Sequence, residues 1–209
     1  MSDAVRYSLW RAQEPLVLAS KSATRRALLA SAGIPVETVD APVDERALEA
    51  AAVAEGVGPA GVASRLAAAK ALAGSAARPG RLVLGADQTL ALGDEAFHKP
   101  ADRAAAAAQI ARLAGKTHEL HAALALARDG EVLFEAADTA HLAMRPLGPD
   151  VIATYLDAAG DAVLSSVGAY QLEGLGIHLF QTVEGAHSTI LGLPLLPLLA
   201  FLRRHGDVL

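Results

Sequence analysis

Runs of apolar residues separated by polar and glycine positions divide this chain into short predicted elements. Leu16–Ala19 is a continuous apolar run typical of a buried strand, and the apolar positions that follow predict a helix ending at Gly33. A second strand is predicted at residues 36–39, an alanine-rich helix at Pro59–Ala77, and a third strand at residues 81–92. The first half of the chain is therefore predicted to alternate between strands and helices.

The middle of the chain carries a second alanine-rich helix and a long predicted hairpin. The helix is predicted at residues 100–113, with its proline at the first helical position. Alternating apolar positions over residues 116–128, an Asp-Gly turn, and a returning run at Glu131–Met144 predict two antiparallel strands.

The last third of the chain is predicted to contain a short helix at residues 149–158 and a buried terminal element at residues 190–202. The terminal run is too short to span a membrane and contains Pro194 and Pro197. Between these elements, the glycines of residues 165–179 are expected to let the backbone approach its surroundings closely. These glycines are Gly168, Gly174 and Gly176.

Polar residues crowd into the short crossing between the first strand and the first helix. Free backbone N–H groups and the helix dipole favour an anion at such a helix start. Cations in a first turn are unusual, so Arg25 and Arg26 indicate that a negatively charged ligand binds there. The alternative is that Ser22 is only an N-cap and that the arginines form a solvated face. The polar residues of the crossing are Ser20, Lys21, Ser22, Thr24, Arg25 and Arg26.

Asp87 and Gln88 lie between two apolar runs of the third predicted strand, which we expect to be interrupted at residues 85–88. A carboxylate in this position is costly unless it is paired, hydrogen-bonded or bound to a metal. Its chemistry therefore makes Asp87 the strongest catalytic candidate in the chain. The alternative is an aspartate in a turn.

Other charged residues have ordinary structural explanations beside functional ones. Asp44 is predicted to cap a helix, which leaves Glu45 as a first-turn carboxylate that complements the helix dipole or as a functional group. Lys70 is the lone lysine of a small, apolar helix face, and such a lysine usually extends to solvent. His118 and His121 resemble half of a zinc-protease motif, but they face opposite sides of a predicted strand, so no zinc site is expected.

The composition limits the class of protein. At 209 residues the chain is long enough for one large domain or two small lobes. The net charge of −5 argues against a general DNA-binding protein, and the absence of cysteine excludes disulfides and thiolate metal sites. The N terminus shows no basic segment followed by an apolar one, so we expect no export signal, no membrane association and a cytoplasmic location.

Eight short motifs between residues 16 and 202 together resemble the Maf family of nucleoside triphosphate pyrophosphatases. The resemblance implies an α/β fold similar to that of inosine triphosphate pyrophosphatases, with a long mixed β-sheet flanked by helices and two lobes around a central cleft. It also implies a single Maf-like domain over residues 1–209, with residues 1–14 as a peripheral extension, and a homodimer. The motifs are LASKSATRRALL, VDE, LAAAKA, GADQ, KP, GKTHEL, GAYQLEG and GLPL.

The family hydrolyses nucleoside triphosphates to monophosphates and pyrophosphate with a divalent metal, in nucleotide-pool house-cleaning, and is linked to septum formation and cell-division arrest. The resemblance places the active-site aspartate at Asp87 and assigns a Mg²⁺ or Mn²⁺ ion to Asp87 and Glu45. Asp87 can act as metal ligand or as general base, a choice that the sequence leaves open. The family's phosphate loop and two lysines fall on Ser20, Ser22, Arg25, Lys70 and Lys99.

Positions associated with substrate preference in this family match Thr24, Gln88 and Glu173. Gln88 and Glu173 resemble the branch that prefers 7-methyl-GTP, because the dTTP/UTP branch carries Thr and Gln there. Thr24 departs from that pattern, since a large aromatic residue is expected at its position, and residues 170–172 also differ from the usual segment. A dTTP/UTP-type pyrophosphatase is therefore the alternative.

Two other functions fit parts of the sequence. One is a nucleotide-binding regulator of septum formation that binds without turnover. The other is a dinucleotide or sugar-phosphate binder on a Rossmann-like domain, which is disfavoured because no G-x-G-x-x-G motif follows the first strand.

Overall fold

The computed structural model describes residues 9–209, which form one mixed β-sheet of seven strands with helices on its faces. The strands are β1 (Leu16–Ala19), β2 (Val36–Thr38), β3 (Val83–Leu92), β4 (Glu95–Phe97), β5 (Thr117–Arg128), β6 (Glu131–Met144) and β7 (Phe180–Glu184). The helices are α1 (Ala23–Ser31), α2 (Glu45–Ala54), α3 (Pro59–Ala77), α4 (Arg103–Leu113), α5 (Pro149–Ala159), α6 (His187–Ile190) and α7 (Leu195–His205). Short 3-10 turns between α5 and β7 lie at Gly160–Leu164, Val167–Ala169 and Leu175–Leu179.

The sheet has the strand order β2-β1-β3-β5-β6-β7, and β4 pairs with β3. β1 pairs in parallel with both β2 and β3, whereas all other pairs are antiparallel. Parallel neighbours require a crossover, which α1 supplies between β1 and β2. The expected α/β fold with a mixed sheet flanked by helices is confirmed.

Three apolar clusters hold the helices to the sheet. Helices α1 and α7 pack on one face of β1, β3 and β5 through Leu29, Leu198 and Leu202. Helix α3 covers the opposite face through alanines that meet alanines of β5. The third cluster joins α4 and α5 to the other end of the sheet, around Leu90 and Leu120.

The predicted interruption of β3 and the predicted start of α4 are both wrong. β3 is not interrupted at residues 85–88, because Asp87 pairs with Ala123 and Gln88 with Ala122 of the long strand β5. This continuity also excludes the interpretation of Asp87 as a turn residue. The helix predicted from residue 100 begins at Arg103, since the carboxylate of Asp102 accepts a hydrogen bond from Ala105 N at 2.7 Å and caps it there.

The predicted close approach of glycines in residues 165–179 is confirmed at two of the three positions. A Cβ at Gly168 would lie 2.6 Å from Leu90 Cδ1, and one at Gly176 would lie 2.4 Å from Gln171 O. Gly174 is different, because the nearest atom to its Cβ would be 3.8 Å away. The terminal run at residues 190–202 folds into the end of α6 and most of α7. Within residues 9–209, no helix is both long and apolar enough to cross a membrane.

The N-terminal residues that the structure describes lie against the C terminus. Trp10 forms an isolated antiparallel bridge with Val208, and Arg11 N donates to Asp207 O at 2.8 Å. The predicted peripheral extension covers residues 1–14, of which residues 1–8 lie outside the described part of the chain.

Candidate active site

The candidate site lies at an opening in the sheet beside the middle of β3. On one edge of β3, β1 pairs with residues 83–85 and β4 pairs with residues 90–92. Within the described chain, residues 86–89 have no strand neighbour on that edge, while β5 pairs along the other edge. Because side chains alternate along a strand, Asp87 and Gln88 point to opposite faces of the sheet at this opening.

A cavity of about 1110 Å³ occupies this opening. Its walls come from the loop after β1, the loop before α2, the middle of α3, the end of β4 and residues 165–173. The structure brings together in this cavity all the site residues predicted from the sequence, namely Ser20, Ser22, Thr24, Arg25, Glu45, Lys70, Asp87, Gln88, Lys99 and Glu173.

Gly85 explains how α3 comes close enough to β3 for its lysine to reach Asp87. A Cβ at Gly85 would lie 2.2 Å from Ala67 O and 2.4 Å from Ala71 N, so only glycine lets the helix backbone contact the strand here. The small side chains of the facing alanines in α3 and β5 also let the helix pack close to the sheet. Lys70 lies on this helix between Ala67 and Ala71, the two residues whose backbone contacts Gly85.

Lys70 joins the two candidate carboxylates. Its Nζ lies 2.6 Å from Asp87 Oδ1 and 3.0 Å from Glu45 Oε1. The side chains of Lys70 and Asp87 are only 13% and 12% exposed, whereas that of Glu45 is 55% exposed. Lys70 is therefore not the surface lysine of the alternative interpretation. Glu45 is the first residue of α2, behind the Asp44 cap, and this position turns it towards the cavity.

The crossing after β1 presents hydroxyl groups to the cavity. Ser22 caps α1, because its Oγ accepts a hydrogen bond from Arg25 N at 3.3 Å. Ser20 Oγ accepts from Arg25 Nη1 at 3.0 Å and from Ser22 N at 3.3 Å. A serine hydroxyl both donates and accepts, so these contacts leave the O–H of each serine able to donate to an anion.

Arg25, in the first turn of α1, is a buried cation with 9% of its surface exposed. Its Nε donates to Gly192 O at 2.7 Å. Burial lowers the pKa of the guanidinium, while the nearby negative charges of Asp87 and Glu45 raise it. Arg26, the other arginine of the predicted anion site, is exposed and does not line the cavity. Of the two arginines on which the anion-binding interpretation rests, only Arg25 lines the cavity.

The remaining predicted residues line the cavity with different exposures. Lys99 and Glu173 are exposed, and Thr24 is half-buried on the first turn of α1. Gln88 is also half-buried, and its Nε2 donates to the backbone carbonyls of Thr189 and Ile190, each at 3.0 Å.

The donor set of the cavity fits a hard divalent cation. Asp87 and Glu45 supply carboxylate oxygens, and Mg²⁺ is typically held by one or two carboxylates together with substrate phosphates. Asp87 Oδ2 accepts no hydrogen bond from the described residues and is therefore available. Residues 9–209 contain no group of three or more His, Cys, Asp or Glu arranged to hold a metal alone, so substrate oxygens would have to complete the coordination.

His118 and His121 point to opposite sides of β5, as their spacing predicted. His118 is fully buried, and its Nε2 lies 2.7 Å from the hydroxyl of Tyr170. His121 faces the other side of the sheet, where its Nε2 lies 3.2 Å from Glu119. Because the two rings lie on opposite sides of the sheet, this pair cannot bind one zinc ion together.

Sequence reasoning missed the turn between α6 and α7 as a part of the site. Gly192 accepts the hydrogen bond from Arg25, and Thr189 donates to Asp138 Oδ2 at 2.6 Å. The GLPL motif marks this turn in the sequence, but its contacts come from β3 and α1, more than 100 residues away. Pairing at such distance leaves no local pattern.

Comparison with known proteins agrees with the geometry. The model of the family described as "Maf-like protein" matches residues 15–205. The chain is 55% identical over 197 residues to a nucleoside triphosphate pyrophosphatase of Nitrobacter winogradskyi, covering 94% of this chain and 96% of that protein. It is 57% identical to a protein of the same name from Rhodopseudomonas palustris strain HaA2, with the same shares covered.

A relative with a more specific name is also similar. The 7-methyl-GTP pyrophosphatase of Brucella abortus is 54% identical over 189 residues, which cover 90% of this chain and 95% of that protein. The family model and these relatives each extend over nearly the whole chain, and the family model includes every residue that lines the cavity. This chain belongs to the Maf family.

Proposed function

We propose that this protein is a nucleoside triphosphate pyrophosphatase, which hydrolyses a nucleoside triphosphate to the monophosphate and pyrophosphate. The observation that carries the proposal is the group of Asp87, Lys70 and Glu45 on the wall of a cavity that also contains the buried cation Arg25. Carboxylates beside fixed cations are the parts that phosphoanhydride hydrolysis needs. The names of the relatives support the same activity.

The cations of the cavity bind the triphosphate. Arg25 and Lys70 are held by their hydrogen bonds, so they offer positive charge in a fixed place with little reorganisation when charge develops on the phosphate oxygens. Lys99 adds an exposed cation to the lining of the cavity. The hydroxyl groups of Ser20 and Ser22 donate hydrogen bonds that orient the chain of phosphates.

Asp87 directs the attack of water on the α-phosphorus. Lys70 holds Asp87 Oδ1 and so fixes the position of the carboxylate, while Oδ2 accepts the proton or a hydrogen bond from the water. A divalent cation held by Asp87 and Glu45 would supply charge neutralisation on the phosphates and a lower pKa for the attacking water. The bond to the β-phosphate oxygen then breaks, and pyrophosphate leaves.

Guanine-type nucleotides are the proposed substrate class, with 7-methyl-GTP as the first candidate. Glu173 lines the cavity, and its carboxylate can accept both hydrogen bonds that guanine offers at N1–H and N2–H. The name of the Brucella abortus relative supports this candidate.

The test measures the products released from a panel of nucleotides with Mg²⁺ and with Mn²⁺. We expect pyrophosphate and the monophosphate in equal amounts, and no activity in the presence of a chelator. Release of orthophosphate and a diphosphate would show attack at another phosphorus. Tight nucleotide binding with no product would instead favour a binding regulator.

A further inference from the structure

Gln88 uses its side-chain donors on the protein itself. Its Nε2 donates to Thr189 O and to Ile190 O, both at 3.0 Å. A side-chain amide nitrogen has two N–H groups, so both donors are engaged. Only the acceptor Oε1 remains for a ligand, although this position is associated with substrate preference by resemblance.

The backbone that Gln88 holds is the last turn of α6 and the two residues that follow it, residues 189–192. Thr189 is fully buried, and its Oγ1 donates to Asp138 Oδ2 at 2.6 Å, which fixes the start of the turn to β6. The end of the turn is Gly192, whose carbonyl accepts the 2.7 Å hydrogen bond from Arg25 Nε. The turn therefore connects Gln88 to the buried guanidinium of Arg25.

Gly192 is packed between the two side chains. A Cβ at this position would lie 3.3 Å from Arg25 Nη2 and 3.3 Å from Gln88 Oε1. The residue also has a φ of +90°, a backbone conformation that residues other than glycine rarely adopt. Arg25 and Gln88 thus both lie beside Gly192, where an added Cβ would be closer to each side chain than ordinary van der Waals contact.

We propose that Gln88 is a positioning residue, which fixes the turn at residues 189–192 and through Gly192 O orients the Arg25 guanidinium towards the phosphates. The inference rests on the proposed function, since it takes Arg25 as a phosphate ligand. Gln88 then acts at the phosphate end and contributes equally to every nucleotide. Glu173, rather than Gln88, is left to distinguish the bases.

The deciding probe is inorganic pyrophosphate, which has the phosphates but no base. Its affinity is measured by calorimetric titration in the presence of Mg²⁺, beside kcat and KM for 7-methyl-GTP, GTP, UTP and dTTP. Gln88→Met removes both donors and keeps the length of the side chain. Gln181→Met makes the same change at an exposed position of β7 and is the matched control.

We expect Gln88→Met to weaken pyrophosphate binding about 10-fold and to raise KM for all four nucleotides by the same factor, with a smaller change in kcat. The order of the nucleotides stays unchanged. Gln181→Met leaves all these values as in the wild type.

Gly192→Ala disturbs the contact between Arg25 and residues 189–192 by adding a Cβ at the residue whose carbonyl binds Arg25. Its control is Gly206→Ala, because Gly206 has a φ of +88° but no atom within 4 Å of an added Cβ. We expect Gly192→Ala, and not Gly206→Ala, to weaken pyrophosphate binding. The loss in the double variant Gln88→Met/Gly192→Ala is expected to be smaller than the product of the two single losses, since both act on one turn.

Three results would overturn the inference. The first is that Gln88→Met leaves pyrophosphate affinity unchanged but alters the order of the nucleotides. The second is that the losses of the two single variants multiply in the double variant. The third is that the wild type does not bind pyrophosphate. If Gln88→Met does not fold, unchanged pyrophosphate affinity in Gly192→Ala overturns it as well. A wild type that binds pyrophosphate but hydrolyses no nucleotide would contradict the proposed function, while the titrations still decide this inference.

Discussion

Asp87 is a buried carboxylate in the middle of β3, opposite Ala123 of β5. Pairing with Lys70 compensates its desolvation, but a buried ion pair adds little net stability compared with apolar residues of similar size. Stability alone therefore does not account for this pair. A charge that is already held in place beside a cavity can act in a reaction there without the energetic cost of reorganisation.

Replacing Asp87 by asparagine tests this role. Asp87→Asn keeps the size and hydrogen-bonding capacity of the side chain but removes its negative charge. We expect kcat to fall by at least about 100-fold, the low end for a positioned acid or base. Thermal stability should change little, because Lys70 keeps its contact with Glu45. Asp94→Asn, at an exposed turn position, is the control, and wild-type turnover in Asp87→Asn would contradict the role.

Glu173 is the residue that we expect to read the base. A carboxylate only accepts hydrogen bonds, whereas uracil and thymine offer one donor flanked by acceptors that it would repel. Methylation at N7 adds positive charge to guanine, which a nearby carboxylate favours further. We therefore expect higher kcat/KM for 7-methyl-GTP and GTP than for UTP and dTTP.

Glu173→Gln is expected to reduce that preference, because an amide can both donate and accept. Kinetics with the four nucleotides measure the change in order, and Glu135→Gln on an exposed position of β6 serves as the control. Better wild-type activity on pyrimidines, or an unchanged order in Glu173→Gln, would mean that Glu173 does not contact the base.

At the level of elements, the distance between α3 and β3 sets the position of Lys70. The helix presents alanines to the sheet and β3 presents Gly85, so the two backbones touch. A larger residue on either side would move the helix outwards and with it the lysine. The motifs LAAAKA and GADQ are thus two halves of one interface, which no reading of either motif alone can reveal.

Gly85→Ala tests whether this close contact positions the site. The added Cβ would lie 2.2 Å from Ala67 O, which is backbone and can only yield if α3 moves. Overpacking of this kind lowers the melting temperature by about 5–10 °C, and we expect kcat to fall as Lys70 withdraws from Asp87. Gly58→Ala is the control, since Gly58 lies before α3 with no atom within 4 Å of its Cβ. Unchanged kcat in Gly85→Ala would separate helix packing from catalysis.

Across the whole molecule, local sequence patterns predicted most elements and the motifs identified the residues that meet in the cavity. The anion-binding character of the crossing after β1 could be predicted, because cations near a helix N terminus are disfavoured by the helix dipole. The opening beside Asp87 could not, because it depends on where β1 ends and β4 begins along β3, which is a matter of non-local pairing. The same holds for the contacts of Gln88 with residues 189 and 190.

One buried titratable group couples the stability of the whole fold to pH. His118 is fully buried in the apolar cluster around Leu90 and Leu120, beside the rings of Tyr170 and Phe180. Burial lowers its pKa from 6.5 to about 4. Burial also lowers the pKa of His121 on the opposite side of the sheet, so the second histidine acts in the same direction.

The unfolded chain protonates His118 near pH 6.5, whereas the folded protein does so only near pH 4. Stability from this group is therefore complete above pH 6.5 and is lost as the pH falls towards 4, by about 3 kcal/mol in total. Urea unfolding measured between pH 7 and pH 4 should show this loss, and His118→Gln should reduce the slope although it is less stable at pH 7. His178→Gln, at an exposed histidine, should keep the wild-type slope. An equal slope in His118→Gln and the wild type would mean that carboxylates and the other histidines, rather than His118, cause the acid sensitivity of the fold.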